Sequence, residues 1–429
     1  MRVHFTNLGC KLNQAELEQL AREFVAAGHE IVNSLEDADL HVINSCTVTH
    51  VAARTSRKVA RRGQRSNPGV KTVLAGCYAT AEPDEAARLA GVDLVVTNNQ
   101  KEHLVQIVNE NLAGNGLPAP ALQPPVPYSA LDFGNTRALV KVQDGCNMRC
   151  AFCVIPFTRG DERSRPVDEV AQEVQALVAG GFQEVVVTGV QISSYRANGH
   201  GLYDLTTALL ERTDVPRLRL TSIAPWEFDD RLLNLWANPR LCRHVHMSLQ
   251  SGCTATLRRM RRPYTAETYA SLVEMIRQAI PDVGITTDVI VGFPGETRCE
   301  FQESRHFVER MEFAKVHVFP FSARPGTEAA RLPARVPYQE KKARVDAMLQ
   351  IADASARRFQ QRFLGRRLDV LWESRQTRNG HSQSDGYWQG MTDNYIRVLA
   401  TTSDDLSNTI TQTRLVGLTD AGILGVSDQ

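Results

Sequence analysis

The apolar pattern of "RVHFTNLG" predicts a strand, and that of "QAELEQLAREFVAAG" a helix ending at Gly28. "ADLHVINS" predicts a second strand, followed by a helix over residues 51–65. "KTVLAG" then predicts a third strand, and "VDLVVTN" closes the series after "PDEAARLAG". Strand and helix in alternation predict an open parallel α/β domain over residues 1–112. Residues 113–135 hold five prolines and predict an extended linker.

The alternation resumes with strands at "ALVKVQDG", "EVVVTGVQ", "RLRLTSI", "HVHMSLQ", "ITTDVIVG" and "AKVHVFPF". Helical stretches such as "PVDEVAQEVQALVAGG" and "AETYASLVEMIRQAI" lie between most of them. Six βα units predict an incomplete (βα)6 barrel over residues 136–363, with its active site at the C-terminal strand ends. From Arg366 the pattern shortens to strands and turns, which predicts a small C-terminal β-barrel over residues 364–429. The fold class is α/β in three parts.

Composition narrows the setting. Of 429 residues 42% are hydrophobic, enough for two or three cores, yet no run of 18 apolar residues predicts a membrane span. The start, "MRVHFTNLGC", lacks the apolar stretch and cleavage site of a signal peptide. A cytoplasmic protein is expected, in which clustered cysteines serve as metal ligands more often than as disulfides. The formal net charge is +1, so any binding of nucleic acid must come from local basic patches.

Three of the nine cysteines, Cys146, Cys150 and Cys153, stand as C-x3-C-x2-C after the first barrel strand. Three thiolates on a four-iron cubane leave one iron without a protein ligand, and an open coordination position marks a working site. Structural zinc, the main competitor, needs a fourth ligand close by, and neither Cys nor His occurs between residues 154 and 199. Cys10, Cys46 and Cys77 each follow a predicted strand of the first domain. Carboxyl ends of parallel strands form ligand crevices, so three coincidences favour a shared metal site over three buried thiols. Cys242, Cys253 and Cys299 follow no ligand spacing and read as incidental.

C-x3-C-x2-C at the mouth of a βα barrel resembles the radical S-adenosylmethionine (SAM) superfamily. The stretches "LGCKLNQAELE", "INSCTVTHVAARTSRK", "GCYA", "GCNMRCAFCVIPFTRG", "VVVTGVQISSY", "HVHMSLQSG", "TTDVIVGFPGET" and "VFPFSARPGT" resemble its methylthiotransferases along nearly the whole chain. The resemblance implies a radical SAM barrel and a terminal RNA-binding TRAM domain. It implies that Cys146, Cys150 and Cys153 bind a [4Fe–4S] cluster whose open iron takes SAM. It implies that Cys10, Cys46 and Cys77 bind an auxiliary [4Fe–4S] cluster holding the sulfur to be transferred. One SAM then donates a methyl group to that sulfur, and another yields the 5′-deoxyadenosyl radical that takes hydrogen from the substrate carbon. An electron donor is implied as a further partner.

For SAM contacts the same likeness points to Phe152 on the adenine and to Gly189 and Gln191 at the second strand end; Ser222, Gln250 and Gly292 end later strands. Each is matched by a structural alternative, as barrel core or as a hydrogen-bonding group at the mouth. For RNA, Arg54, Arg57, Lys58, Arg61, Arg62 and Arg65 recur at helical spacing with no acid among them. Their place after Cys46 favours a phosphate track over a merely solvated face. A second basic knot, "LRRMRRP" at residues 257–263, reads either way. The last segment carries six arginines against eight aspartates and glutamates, and offers Tyr387, Trp388 and Tyr395 as stacking groups or as core.

"GCKLNQ" and "SCTVTHVAARTSRK" resemble the tRNA branch that acts on N6-threonylcarbamoyladenosine at position 37. A threonylcarbamoyl group carries a carboxylate, whose burial needs a cation or several donors. Alternatives are methylthiolation of N6-isopentenyladenosine in tRNA, of a ribosomal protein, or a non-catalytic iron–sulfur RNA-binding regulator.

Overall fold

A computed structural model describes residues 1–112, 136–376 and 386–427. The expected linker, 113–135, lies outside the described residues, as do Arg378, Asp385 and Asp428 of the last segment. The described chain forms two compact units, and these do not follow the expected sequence boundaries. One holds residues 1–112, 143–163 and 322–330; the other holds the remainder, the central strands and the small barrel together.

In the first unit, β1 (Arg2–Asn7), β2 (Glu30–Ile31), β3 (Leu40–Ser45), β4 (Lys71–Gly76) and β5 (Leu94–Val96) form one parallel sheet, ordered β2-β1-β3-β4-β5. Every residue of β3 is buried, as expected of a central parallel strand covered on both faces. The helix Lys11–Ala26 ends just before Gly28, whose φ of +82° turns the chain back to the sheet. The two-residue strand β2 carried too short a pattern to be seen in the sequence.

The second unit begins with β6 (Arg137–Lys141); along the chain there follows the cysteine segment of the first unit, between β7 (Gln143–Asp144) and β8 (Arg163–Ser164). Then come β9 (Glu184–Thr188), β10 (Arg217–Leu220), β11 (His244–His246), β12 (Gly284–Val291) and β13 (Lys315–Pro320). β6, β9 and β10 form one parallel sheet and β11, β12 and β13 another, each in chain order. Backbone bonds from Leu218 N to Arg240 O and from Cys242 N to Leu218 O, both 2.8 Å, join the two halves. Among the described residues no ladder joins β13 to β6, so the six strands make the expected open arc.

The last strands, β14 (Arg367–Gln376), β15 (Tyr387–Thr392), β16 (Arg397–Ala400), β17 (Ile410–Leu418) and β18 (Ile423–Ser427), close into a barrel. Trp372, Trp388, Val398 and Leu415 fill it. It rests on the N-terminal ends of the central strands. Arg217 donates to Asp369 O (2.7 Å), Arg219 to Asp393 O (2.8 Å), and Arg243 pairs with Asp393 (2.6 Å). Two expected stacking groups are thereby used structurally: Trp388 is core, and Tyr395 stacks on His244 at 4.3 Å. Tyr387 is half-buried.

Candidate functional site

β1, β3 and β4 lie side by side, about 4.8 Å apart per strand. Cys10 caps the helix after β1, Cys46 directly follows β3, and Cys77 directly follows β4 and opens the helix Cys77–Ala81. Gly76 makes the last placement possible: at φ +96°, a Cβ there would come within 2.5 Å of Asn44 Oδ1. Cys10 is exposed, whereas Cys46 and Cys77 are buried. Burial pushes the Cys46 thiol up to about 11; charge on Cys77 and Cys10 pushes the same way and Arg159 opposes.

The second set lies in the same compact unit. Gly145 enters its loop at φ +71°, where a Cβ would meet Asp161 O at 1.9 Å. Cys146 N donates to Gly160 O (3.0 Å) and Cys153 N to Cys150 O (3.1 Å), folding the loop on itself. Cys146 is buried and the other two are half-buried. None of the six is joined in a disulfide. Among the described residues no three His, Cys, Asp or Glu side chains gather as a single-ion site would need. In each set the donors are all cysteine, the residue type whose thiolates hold iron–sulfur clusters.

Beneath these loops lies a buried polar network with no counterpart in the sequence pattern. Arg159, 3% exposed, donates Nη1 to Glu16 Oε1 (2.8 Å) and Asp144 Oδ1 (2.9 Å), and Nη2 to Asn13 Oδ1 (2.7 Å). Lys101 Nζ donates to Glu16 Oε2 (2.6 Å) and Asn44 Oδ1 (3.2 Å). Burial works against the Arg159 charge, but Glu16, Cys77 and Asp144 outweigh it and hold the guanidinium firmly protonated. A second tie comes from residues 322–330: Arg324 donates to Thr47 Oγ1 (2.6 Å), and Ala329 N to Ala151 O (2.7 Å).

In the second unit Gly189, Gln191, Ser222, Gln250 and Gly292 all fall on the C-terminal rim of the open arc. Ser222 and Gln250 hold left-handed backbone, φ +56° and +67°, a conformation that costs non-glycine residues energy and concentrates at functional sites. Gly292 has φ +72°, and its N donates to Glu296 Oε2 (2.7 Å). Gln191 Nε2 donates to Glu227 Oε2 (2.9 Å), so Glu227 belongs to this rim as well. Phe152 is half-buried within the cysteine loop of the first unit.

Sequence reasoning also missed a lumen cluster in which His246 Nε2 and Ser248 Oγ both meet Asp288 Oδ2, at 3.2 and 2.6 Å. Alternation along β11 and β12, continued past the strand end to Ser248, is the signal that places these side chains on one face.

The basic helix runs His50–Ser66 and buries Ala53, Ser56, Ala60 and Gly63. At 100° per residue, the cations fall on the opposite side. Arg54, Lys58, Arg61, Arg62 and Arg65 are exposed. Arg57 differs: it is half-buried, lies over the Tyr78 ring and pairs with Glu85 at 3.4 Å.

Residues 140–308 match the radical SAM superfamily, and residues 2–97 match a family described as uncharacterized protein family UPF0004. The chain is 35% identical to threonylcarbamoyladenosine tRNA methylthiotransferase MtaB of Bacillus subtilis, over 96% of this chain and 93% of that protein. It is 38% identical to the protein of the same name from Aquifex aeolicus, over 86% and 92%. Among solved structures, the cobalamin- and cluster-bound radical SAM methyltransferase TsrM of Kitasatospora setae shares the fold. Its TM-score is 0.56 at 16% identity, over 76% of each chain.

Proposed function

Because the chain belongs to the radical SAM methylthiotransferase family, we propose that it methylthiolates C2 of N6-threonylcarbamoyladenosine at position 37 of tRNA, with SAM as methyl donor and radical source. The names of its relatives and the "GCKLNQ" stretch support this substrate over the isopentenyl and ribosomal-protein alternatives. The observation that carries the chemistry is that both three-cysteine sets belong to one compact unit, one of them at the ends of adjacent strands.

In this reading Cys146, Cys150 and Cys153 hold the radical-generating cluster, and Cys10, Cys46 and Cys77 the auxiliary one. When bound, the first supplies the electron that splits SAM and the second carries the sulfur. The residues themselves position and exclude. Phe152 would hold the SAM adenine; Gly189, Gln191, Ser222, Gln250 and Gly292, at strand ends of the second unit, would supply the candidate groups for other SAM contacts. The proposed division of labour assigns residues 1–112 to the auxiliary site, 136–363 to radical chemistry and 364–429 to a TRAM-like RNA module, although residues 143–163 and 322–330 pack with the first of these. A reducing cytoplasm suits six thiolate ligands, and an electron donor completes the partners. No described helix is long and apolar enough to cross a membrane.

Purified enzyme, SAM and reductant, given tRNAs carrying either modification, should methylthiolate only the threonylcarbamoyl tRNA. Nucleoside mass spectrometry reads the result; product from the isopentenyl tRNA alone overturns the substrate assignment.

The exposed cations of the helix His50–Ser66 serve as the phosphate track for tRNA. Lys58→Glu with Arg62→Glu should weaken tRNA binding and flatten its salt dependence, by about 0.9 in slope for each duplex phosphate left unneutralised. Arg57 is the wrong residue for this test, since it is held by Tyr78 and Glu85. Unchanged affinity and slope would return the helix to a solvated face.

A further inference from the structure

We propose that Arg159 is a positioning residue that fixes the two cysteine sets in one relative geometry, so that sulfur delivery stays coupled to radical generation. The proposal rests on the two-cluster reading above. Arg159 stands six residues after Cys153, yet its guanidinium reaches Asn13 and Glu16 on the helix that Cys10 caps.

On one side it holds Asp144 Oδ1 (2.9 Å), and that same oxygen accepts from Gly145 N (2.8 Å), the residue before Cys146. On the other it holds Asn13 Oδ1 (2.7 Å), whose Nδ2 donates to Ser45 O (3.0 Å), the residue before Cys46. Asn13 also follows Cys10 within the first turn of its helix, and Asn44 Nδ2 donates to Asn13 O (2.7 Å). Two hydrogen bonds therefore separate the guanidinium from the backbone at the neck of each cysteine loop. Glu16 accepts from both Arg159 and Lys101, so two buried cations face two buried carboxylates and the network is balanced in charge.

A buried, hydrogen-bonded network of this kind, joined at its edge by the half-exposed Arg163 beside Asp144 (3.8 Å), specifies one arrangement and discriminates against others. Arginine is suited to the task because its planar fork can serve several acceptors at fixed angles. Lysine keeps the charge but offers only a point donor. The two sites differ in what they demand. Splitting SAM needs one set alone, whereas transfer needs the substrate radical and the sulfur brought together, and a misplacement of about 1 Å is enough to cost a large rate factor.

The test is Arg159→Lys and, separately, Asp144→Asn, which removes the acceptor charge next to the Cys146 loop and leaves the Arg159–Glu16 pair in place. Both are made in the full-length, iron-loaded enzyme. The readouts are iron per chain, 5′-deoxyadenosine formed, methylthio product per 5′-deoxyadenosine, and the EPR spectrum and midpoint potential of the reduced auxiliary cluster in a Cys146, Cys150, Cys153→Ala background. Expected for Arg159→Lys are near wild-type iron, 5′-deoxyadenosine formation within a few-fold of normal, at least a tenfold fall in product per 5′-deoxyadenosine, and a shifted auxiliary spectrum. Asp144→Asn should lower the coupling ratio with the auxiliary spectrum unchanged.

Normal coupling in either variant overturns the proposal. So does a loss of iron with normal coupling per loaded chain, which would make the network a folding element only. Wild-type enzyme that saturates near four irons would instead refute the two-cluster reading itself.

Discussion

Replacing Cys146, Cys150 and Cys153 together with alanine should abolish reductive SAM cleavage and lower the iron content from about eight to about four per chain. The loop owes its shape to Gly145 and to backbone bonds, Cys146 N to Gly160 O among them, none of which involves a cysteine side chain. The variant should therefore fold, with intact Cys10, Cys46 and Cys77 at the ends of their strands. Iron analysis and chromatography of 5′-deoxyadenosine after anaerobic reconstitution give both numbers. Residual SAM cleavage would place the radical source elsewhere. Wild-type enzyme saturating at about four irons would remove the auxiliary cluster.

Much of this site was legible because hydrophobic strands end where cysteines begin. "RVHFTNLG", "ADLHVINS" and "KTVLAG" are short apolar runs, and in a parallel sheet their carboxyl ends share an edge. Their adjacency as β1, β3 and β4 follows from the sheet order. The basic helix was legible from spacing alone, since 100° per residue puts its cations opposite Ala53, Ser56, Ala60 and Gly63. Arg57, on the border of that stripe, was not separable from its neighbours by period.

The buried network was hidden for a physical reason. Charged residues are seldom fully buried unless paired, so Arg159, in a polar loop, reads as surface. Its partner Glu16 lies 143 positions away, and nothing in the local pattern links them. The same limit applied to the small barrel. Trp388 and Tyr395 share a composition suited to stacking on bases, and only the fold assigns Trp388 to the core and Tyr395 to His244. The recruitment of residues 322–330 into the amino-terminal unit was invisible too, because the packing of distant segments leaves no periodic trace.

Replacing Cys10, Cys46 and Cys77 with alanine should have the complementary effect: SAM cleavage persists while methylthiolation falls below detection. The cost to folding should be modest. Cys10 is exposed, and at Cys46 and Cys77 the change removes one sulfur from sites 8% and 2% exposed, a small cavity of the kind that costs about 1 kcal/mol. Asn44 Nδ2, donating to Asn13 O, Ser45 Oγ, donating to Ala75 O, and the β3–β4 ladder keep the strand ends in place without any thiol. Iron should again fall from about eight to about four, now with the radical set loaded. On the two-cluster reading, a substrate radical formed without these three thiolates would have no sulfur within reach. The assay is the same anaerobic incubation with threonylcarbamoyl tRNA, read for both 5′-deoxyadenosine and the 2-methylthio nucleoside. A triple variant that still makes methylthiolated RNA would show that sulfur arrives by another route. One that loses SAM cleavage as well would show that the two sites cannot be loaded independently.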